Sequence, residues 1–521
     1  MQNITEQQDR RIRRLKNLFP SKSYTSVSVS QCAAPLHCWP IQDEFGFSPH
    51  LWVTRMQVSA RERMFKDIES CDVLKTASTL ALDYVGSTLE RHVYPRPEDT
   101  ERLAKFSEPF PEDGEDAVAV VRELHDFGSP ATVASTGGRY FGLVVGGTIP
   151  AALGARWLAD TWDQNGALYK MSPVAAKIEN VCEHWLKQIF NLPEQTVAGF
   201  VSGTSNATFC GLAAARYKLL QSQGWDVNAS GLAGAPRLRV VMGRQAHGSI
   251  TKAVALLGFG ADNMEKVDTD DQGRMVPTSL PRLDERTVLI LQAGNVDSGS
   301  FDAFEELCAA AQKAGAWIHV DGAFGLWAAA SPKLSALTRG MQLADSWSVD
   351  GHKTLNTPFD SGIILCRDRN SLVTALQMSG SYILYSDNRD GMLYTQDMSR
   401  RARAIEIWAS LKYLGRIGLA ELVDGLHERA VQFGAELHAN NFEILNDIVF
   451  NQVLVACEND LITDKTIENI QKSGECWVGG SRWRGRAVIR ISVCSWATTP
   501  EDVTRSTNAF VAARALARTQ V

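Results

Sequence analysis

"SVDGHKTLNTPFDSGIILC", residues 348–366, decides how this chain is read. The apolar run that includes Trp347 and Val349 breaks into the polar string Asp350-Gly351-His352-Lys353, and a second apolar run begins at Gly362. Lys353 thus stands at the exit of one strand-like segment and ahead of the next, with no solvated helix face to serve. Runs of the same build lie upstream: "RLRVVMGRQAH" (237–247), "RTVLILQAGN" (286–295) and "AWIHVDGA" (316–323). Each is short and apolar and ends in polar residues or glycine. Helical segments such as "FDAFEELCAAAQKAG" (301–315) separate some of them. Strand alternating with helix predicts an α/β fold, a mostly parallel sheet between helices. Ligands of such sheets bind beyond the carboxyl ends of the strands, where these polar exits gather.

Outward from this core the pattern changes. Residues 1 to about 60 are rich in Ser, Gln and Pro and read as an irregular arm, and about 60–125 as mostly helical around a charged connector at 94–116. In "SPVAAKIENVCEHWLKQIF" (172–190), Ser172 is placed to cap a helix and Pro173 to open it, with Val174, Ile178, Val181, Trp185 and Ile189 on one face. After "SRRARAIEIWASLKYLG" (399–415), long helices give way to strands in "FEILNDIVFNQVLVAC" (442–457) and "AVIRISVCSW" (487–496). The expected division is an N-terminal arm and helical segment at 1–110, a large domain at 111–398 and a small C-terminal α+β domain at 399–521.

Composition bounds the function. The 521 residues are 45% hydrophobic and 21% charged with a net charge of -6, which implies a soluble protein with no nucleic-acid partner. No stretch reaches the length of a membrane span, and the N-terminus lacks the apolar core of a signal peptide. The ten cysteines form no C-x-x-C pair and no zinc-like spacing, so no metal site is expected; reduced, buried thiols suit the cytoplasm.

Four pieces carry chemistry. In "GFVSGTSNATFCGLAAAR" (199–216), Gly203-Thr204-Ser205 opens a helix after a strand, a place where backbone N–H groups and hydroxyls hold a phosphate. Asp321 ends a very apolar run, where a carboxylate is costly to bury without a cation. His247, at another strand exit, can offer its flat face to a planar group. Lys353 can form a Schiff base with an aldehyde. Singly, each has an ordinary structural reading: helix opening, turn cap, structural histidine. Jointly they are the set that pyridoxal phosphate (PLP) requires.

With these motifs on the page, the chain resembles the group II PLP-dependent amino-acid decarboxylases of the aspartate-aminotransferase-like superfamily. "SVDGHKTL" is similar to their His-Lys signature, with His352 beside Lys353. "HVDGAFG" is similar to their Asp-x-Ala motif, Asp321 and Ala323. "SGTSNAT" resembles their phosphate-binding turn and "AH" at 246–247 their stacking histidine. "GNVDSGSFD" (294–302) resembles the segment whose polar residue, here Asn295, reaches the cofactor's phenolic oxygen. The resemblance spans roughly 110–500. It implies fold type I with a seven-stranded sheet, a homodimer with active sites at the interface, and a loop tyrosine that protonates Cα. In "SGSYILYSDNRDGMLYT" (379–395) that residue is Tyr382, with Tyr385 and Tyr394 as competitors. Arg490 either binds a substrate carboxylate or is a strand arginine at a domain boundary. Asp350, three residues before Lys353, would repel a phosphate unless it faces a backbone N–H or a cation.

The implied activity is decarboxylation of an L-amino acid, or a close analogue, to an amine and CO2. A carbon–carbon lyase, a transaminase or an aldehyde-forming decarboxylase would use the same scaffold, and a non-catalytic PLP-binding scaffold is the remote alternative. Phe324, Trp327 and "GRYFGLVVGG" (138–147) line the pocket or fill the core.

Overall fold

The structure, a computed structural model, describes residues 59–378 and 385–521. The chain divides into two compact units, Met1–Phe65 and Lys66–Val521. Of the first, only residues 59–65 are described, and they begin a helix, Ala60–Ser70. The second carries the two sheets and the site.

Among the described residues the larger sheet has seven strands: β1 (Val197–Val201), β2 (Arg239–Gly243), β3 (Met264–Val267), β4 (Thr287–Gln292), β5 (Trp317–Asp321), β6 (Ser346–Asp350) and β7 (Gly362–Cys366). Their order is β1-β7-β6-β5-β4-β2-β3. Only β7 is reversed; it pairs antiparallel with β1 and β6, and the other pairings are parallel. The strands β1, β4, β5, β6 and β7 are buried along their whole length, which is why they read as continuous apolar runs rather than alternating ones. The expected seven-stranded α/β architecture is therefore the observed one.

Helices α1 (Pro150–Trp162), α2 (Pro173–Ile189), α3 (Thr204–Ser222), α4 (Gly248–Leu256) and α5 (Phe304–Lys313) accompany the sheet. Ser172 caps α2 as expected, accepting from the Ala175 amide, with Pro173 in the first turn. The buried face of α2 is rotated from the expected one. Ala175, Glu179, Cys182 and Leu186 are buried, Ile178, Trp185 and Ile189 of the expected face pack half-buried against the core, and Val174 is exposed. An ionic network causes this: Glu179 sits 2.6 Å from Arg400 and 2.8 Å from Arg389. A carboxylate held by two guanidinium groups can occupy a core position that periodicity reserves for an apolar side chain.

Beyond the helical span α6 (Ala404–Ala439), which breaks at Gly415 (φ 62°), lies a second sheet of four antiparallel strands. It comprises β8 (Glu443–Ile444), β9 (Gln452–Ala456), β10 (Gly479–Trp483) and β11 (Arg486–Ser492), in the order β10-β11-β9-β8. Among the described residues no helix is long and apolar enough to cross a membrane, and eight cysteines are free.

Candidate active site

The carboxyl ends of β4, β5 and β6 border a cavity of about 300 Å³. Strand register explains part of its lining. Gln292, Asp321 and Ser348 are successive partners across β4, β5 and β6, and Asp350 lies two residues beyond Ser348. Side chains two apart on a strand share a face.

Asp321 is 7% exposed, and Oδ1 accepts from the Ala323 amide at 3.2 Å. Burial pushes its carboxyl above the usual range, while Lys353 and His247 pull it back. Lys353 follows β6, with Nζ 3.1 Å from Asp350 Oδ2. His352 packs its ring on Phe359 at 4.3 Å, and Nδ1 accepts from the Ser361 amide at 3.1 Å. Burial holds this imidazole below its ordinary pKa, against the opposing pull of Asp350. His247 caps α4: Nδ1 accepts from the Ser249 amide at 3.2 Å, leaving the exposed ring to border the cavity.

The turn from β1 to α3 also borders the cavity. Gly203 is extended, and a Cβ there would approach His352 Cε1 to 3.3 Å. Thr204 Oγ1 is buried with no hydrogen-bond partner among the described residues. Asp350 points at both groups foreseen for it: Oδ1 accepts from the Thr204 amide at 2.6 Å while Oδ2 meets Lys353.

Arg490 arrives from β11 in the other sheet. Its Nη1 donates to the Val296 carbonyl at 3.3 Å, Asp297 lies 3.8 Å away, and buried Nε has no partner among the described residues. Segment 138–147 completes the wall through Leu143 and Val144, both at positive φ (54° and 53°). Such angles are uncommon outside glycine and unusual for a β-branched valine. The Gly146 amide donates to the His352 carbonyl at 3.1 Å, which ties this segment to the lysine loop.

The cavity thus gathers Gly203, Thr204, Ser205, His247, Asp321, Ala323, His352, Lys353 and Arg490 of the expected residues. It does not gather Asn295. Its Oδ1 accepts from the amides of Asp297 (2.9 Å) and Ser298 (3.2 Å), while its buried Nδ2 has no partner among the described residues. The polar side chain bordering the cavity from this stretch is Gln292, whose buried Nε2 has no partner among the described residues. Phe324 borders the cavity, whereas Trp327 is core, its indole N–H donating to the Asp350 carbonyl. Tyr382 lies outside the described residues. Tyr385 donates to the Met378 carbonyl, and Tyr394 is buried under Arg389; neither borders the cavity.

An amine, a buried carboxylate, an imidazole face and a helix-N-terminal anion site converge on one space, with Thr204 Oγ1 and Gln292 Nε2 still open for hydrogen bonds. A phosphorylated pyridine aldehyde uses all of them at once, so the residues fit PLP, and fold and site together define a fold type I PLP enzyme. The conserved domain of pyridoxal-dependent decarboxylases matches residues 97–457, and the chain belongs to that family. It is a PLP-dependent carboxy-lyase acting on amino acids.

The chain is 28% identical over 352 residues to an aromatic-L-amino-acid decarboxylase of Bacillus atrophaeus, covering 63% of this chain and 71% of that protein. It is 29% identical over 302 residues to the acidic amino acid decarboxylase GADL1 of Mus musculus, covering 55% of this chain and 54% of that one. The fold superposes on the crystal structure of Oryza sativa TDC with PLP and tryptamine with a TM-score of 0.79 at 21% identity, covering 90% and 99% of the two chains.

Proposed function

We infer that Lys353 is the residue that carries the cofactor and that the substrate is an L-amino acid, decarboxylated to its amine. The observation that carries this reading is the Lys353 amine bordering one cavity with buried Asp321. When bound, PLP supplies an aldehyde carbon that condenses with amines and a protonated ring that accepts the electron pair released as CO2 departs. Asp321 holds the proton on the ring nitrogen; its burial favours sharing that proton with a base over standing alone as an anion. His247 supports the ring by its flat face. The α3 turn, through Thr204 and Ser205, holds the phosphate, with His352 beside it. Gln292 supplies a hydrogen bond to a polar group of the cofactor. Lys353 would hold the cofactor's aldehyde carbon through its amine.

Arg490 orients a substrate carboxylate, supported by its unpartnered Nε, while Leu143, Val144, Val296 and Phe324 exclude water. Tyr382 delivers the proton to Cα. The chain works as a cytoplasmic homodimer with the site at the interface. Exposed Leu143, and exposed Trp157, Leu158 and Trp162 on α1, are large apolar side chains that support burial against a second copy, and the free cysteines suit a reducing compartment. We propose functional boundaries near residues 110 and 398, the seven-stranded sheet lying between them and the four-stranded sheet after the second.

The test is borohydride reduction of the PLP-loaded enzyme with peptide mapping. It is paired with a panel of amino acids assayed separately for CO2, amine and carbonyl product, in wild type and in Tyr382→Phe. Label on Lys353 with equal CO2 and amine is expected, and a rise in carbonyl product in the variant. Label on another lysine, or carbonyl product without CO2 in wild type, overturns the assignment.

A further inference from the structure

Asp350 is an anion built into the place where the cofactor's anion is wanted. It is 2% exposed and ends β6. One oxygen takes the Thr204 amide, the first N–H of the nineteen-residue helix α3, at 2.6 Å. The other lies 3.1 Å from Lys353 Nζ and 3.6 Å from His352 Nε2. Its backbone is fixed independently of these contacts: its amide donates to the Ala323 carbonyl, and its carbonyl accepts from the Trp327 indole. The carboxylate therefore engages the two groups that a phosphorylated aldehyde must reach, the helix N-terminal amide and the lysine amine.

We propose that Asp350 competes with the cofactor phosphate for the α3 N-terminus and holds Lys353 in reserve, and so sets the affinity of this chain for PLP. The inference rests on the reading of Lys353 as the cofactor lysine. Like charges in one desolvated space oppose each other far more strongly than in water. A phosphate can take the Thr204 amide only if Asp350 releases it. Thr204 Oγ1, 6% of whose residue surface is exposed, is the group left open for the phosphate meanwhile. An asparagine keeps the shape and an acceptor for the Thr204 amide, removes the charge and adds a donor. The same change frees Lys353 from its ion pair.

The test uses the full chain stripped of cofactor by dialysis against an amine and titrated calorimetrically with PLP, with pyridoxal and with inorganic phosphate. Asp350→Asn is expected to bind PLP at least about tenfold more tightly than wild type. Its preference for PLP over pyridoxal should also rise, because only PLP carries the competing anion. Inorganic phosphate should gain affinity in the same direction. Equal or weaker PLP binding by a folded Asp350→Asn, with an unchanged PLP-to-pyridoxal ratio, overturns the proposal and leaves Asp350 as a helix cap. Asp350→Ser, which also lacks the charge, serves if the asparagine variant does not fold, with the same two outcomes. Failure of wild type itself to bind PLP would instead refute the assignment of Lys353.

Discussion

The phosphate turn is held by the absence of one carbon. A Cβ on Gly362 would lie 2.4 Å from Gly203 Cα, 2.6 Å from its carbonyl carbon and 2.7 Å from its nitrogen. Carbon atoms pack at about 3.5–4.0 Å, so Gly362→Ala demands roughly 1 Å of movement. The obstacle is backbone, not the free end of a side chain. β7 cannot give way easily, because Gly362 is paired with Asp350 on one side and Val201 on the other. The turn at 202–204 is what must move, and it carries the Thr204 amide and hydroxyl. Overpacking of this kind costs about 1–3 kcal/mol of stability. Misplacing a charge-assisted hydrogen bond to phosphate costs about 1.5–3 kcal/mol of binding, roughly tenfold to a hundredfold in Kd. The assay is PLP titration of the stripped enzyme together with thermal unfolding. Gly425→Ala is the control, since it lies within a helix with nothing inside 4 Å of the added carbon, and it should be neutral or slightly stabilising. Wild-type PLP affinity and melting temperature in Gly362→Ala would refute the argument that this close approach fixes the turn.

Two further substitutions probe buried carboxylates elsewhere. Asp321→Asn should fold normally but lose on the order of a hundredfold in kcat, about 3 kcal/mol, because an amide cannot hold the ring proton; turnover near wild type would make Asp321 a turn residue only. Asp302 accepts from the amides of Met275 and Gln292, both at 2.7 Å, and burial pushes its carboxyl up to about 6 from 3.8. Between these values the folded chain keeps a proton that the unfolded chain has lost, so this group's contribution to stability falls as pH rises from about 4 to about 6. Asp302→Asn removes that slope. The difference in unfolding free energy between wild type and variant should therefore shrink over this window, and urea titrations giving a constant difference would contradict the shift.

Much of the site was legible because each of its motifs breaks an apolar run. Lys353, Asp321 and the Gly203–Ser205 turn all announce themselves as polar residues where burial should continue. Gln292 obeys the same rule, as the last residue of "TVLILQ", and its register partner is Asp321 itself. Aligning the ends of the predicted strands would have added it to Asn295, which lies beyond the strand with its oxygen on its own turn and its buried Nδ2 unpartnered among the described residues. The burial of Glu179 left no such mark. Helical periodicity assigns burial by apolarity, and nothing local reveals that Arg389 and Arg400, more than 200 residues later, arrive to neutralise it. Segment 138–147 was read as pocket or core; the backbone contacts that bring it to the lysine are long-range and leave no mark in composition.

Those contacts pass through Asn356, which the sequence does not single out. Its φ is 57°, a left-handed conformation that asparagine tolerates better than most residues. From there Oδ1 accepts from the amides of Gly147 at 2.7 Å and Trp496 at 2.9 Å. Nδ2 donates to the carbonyls of Thr354 at 2.8 Å and Cys494 at 3.0 Å. One amide side chain thus fastens the loop after Lys353 to segments about 200 residues before it and about 140 residues after it. The later segment leaves β11, where Ser492 donates its amide to the Phe141 carbonyl at 2.9 Å, so it is bound to segment 138–147 as well. Arg490 lies two residues before Ser492 on the same strand, and successive odd or even positions share a face. The cation from the four-stranded sheet therefore reaches a cavity at the edge of the seven-stranded one because the chain around it is secured to the lysine loop. The position of Lys353 and the position of Arg490 are set by one hydrogen-bonded assembly rather than by two sheets independently.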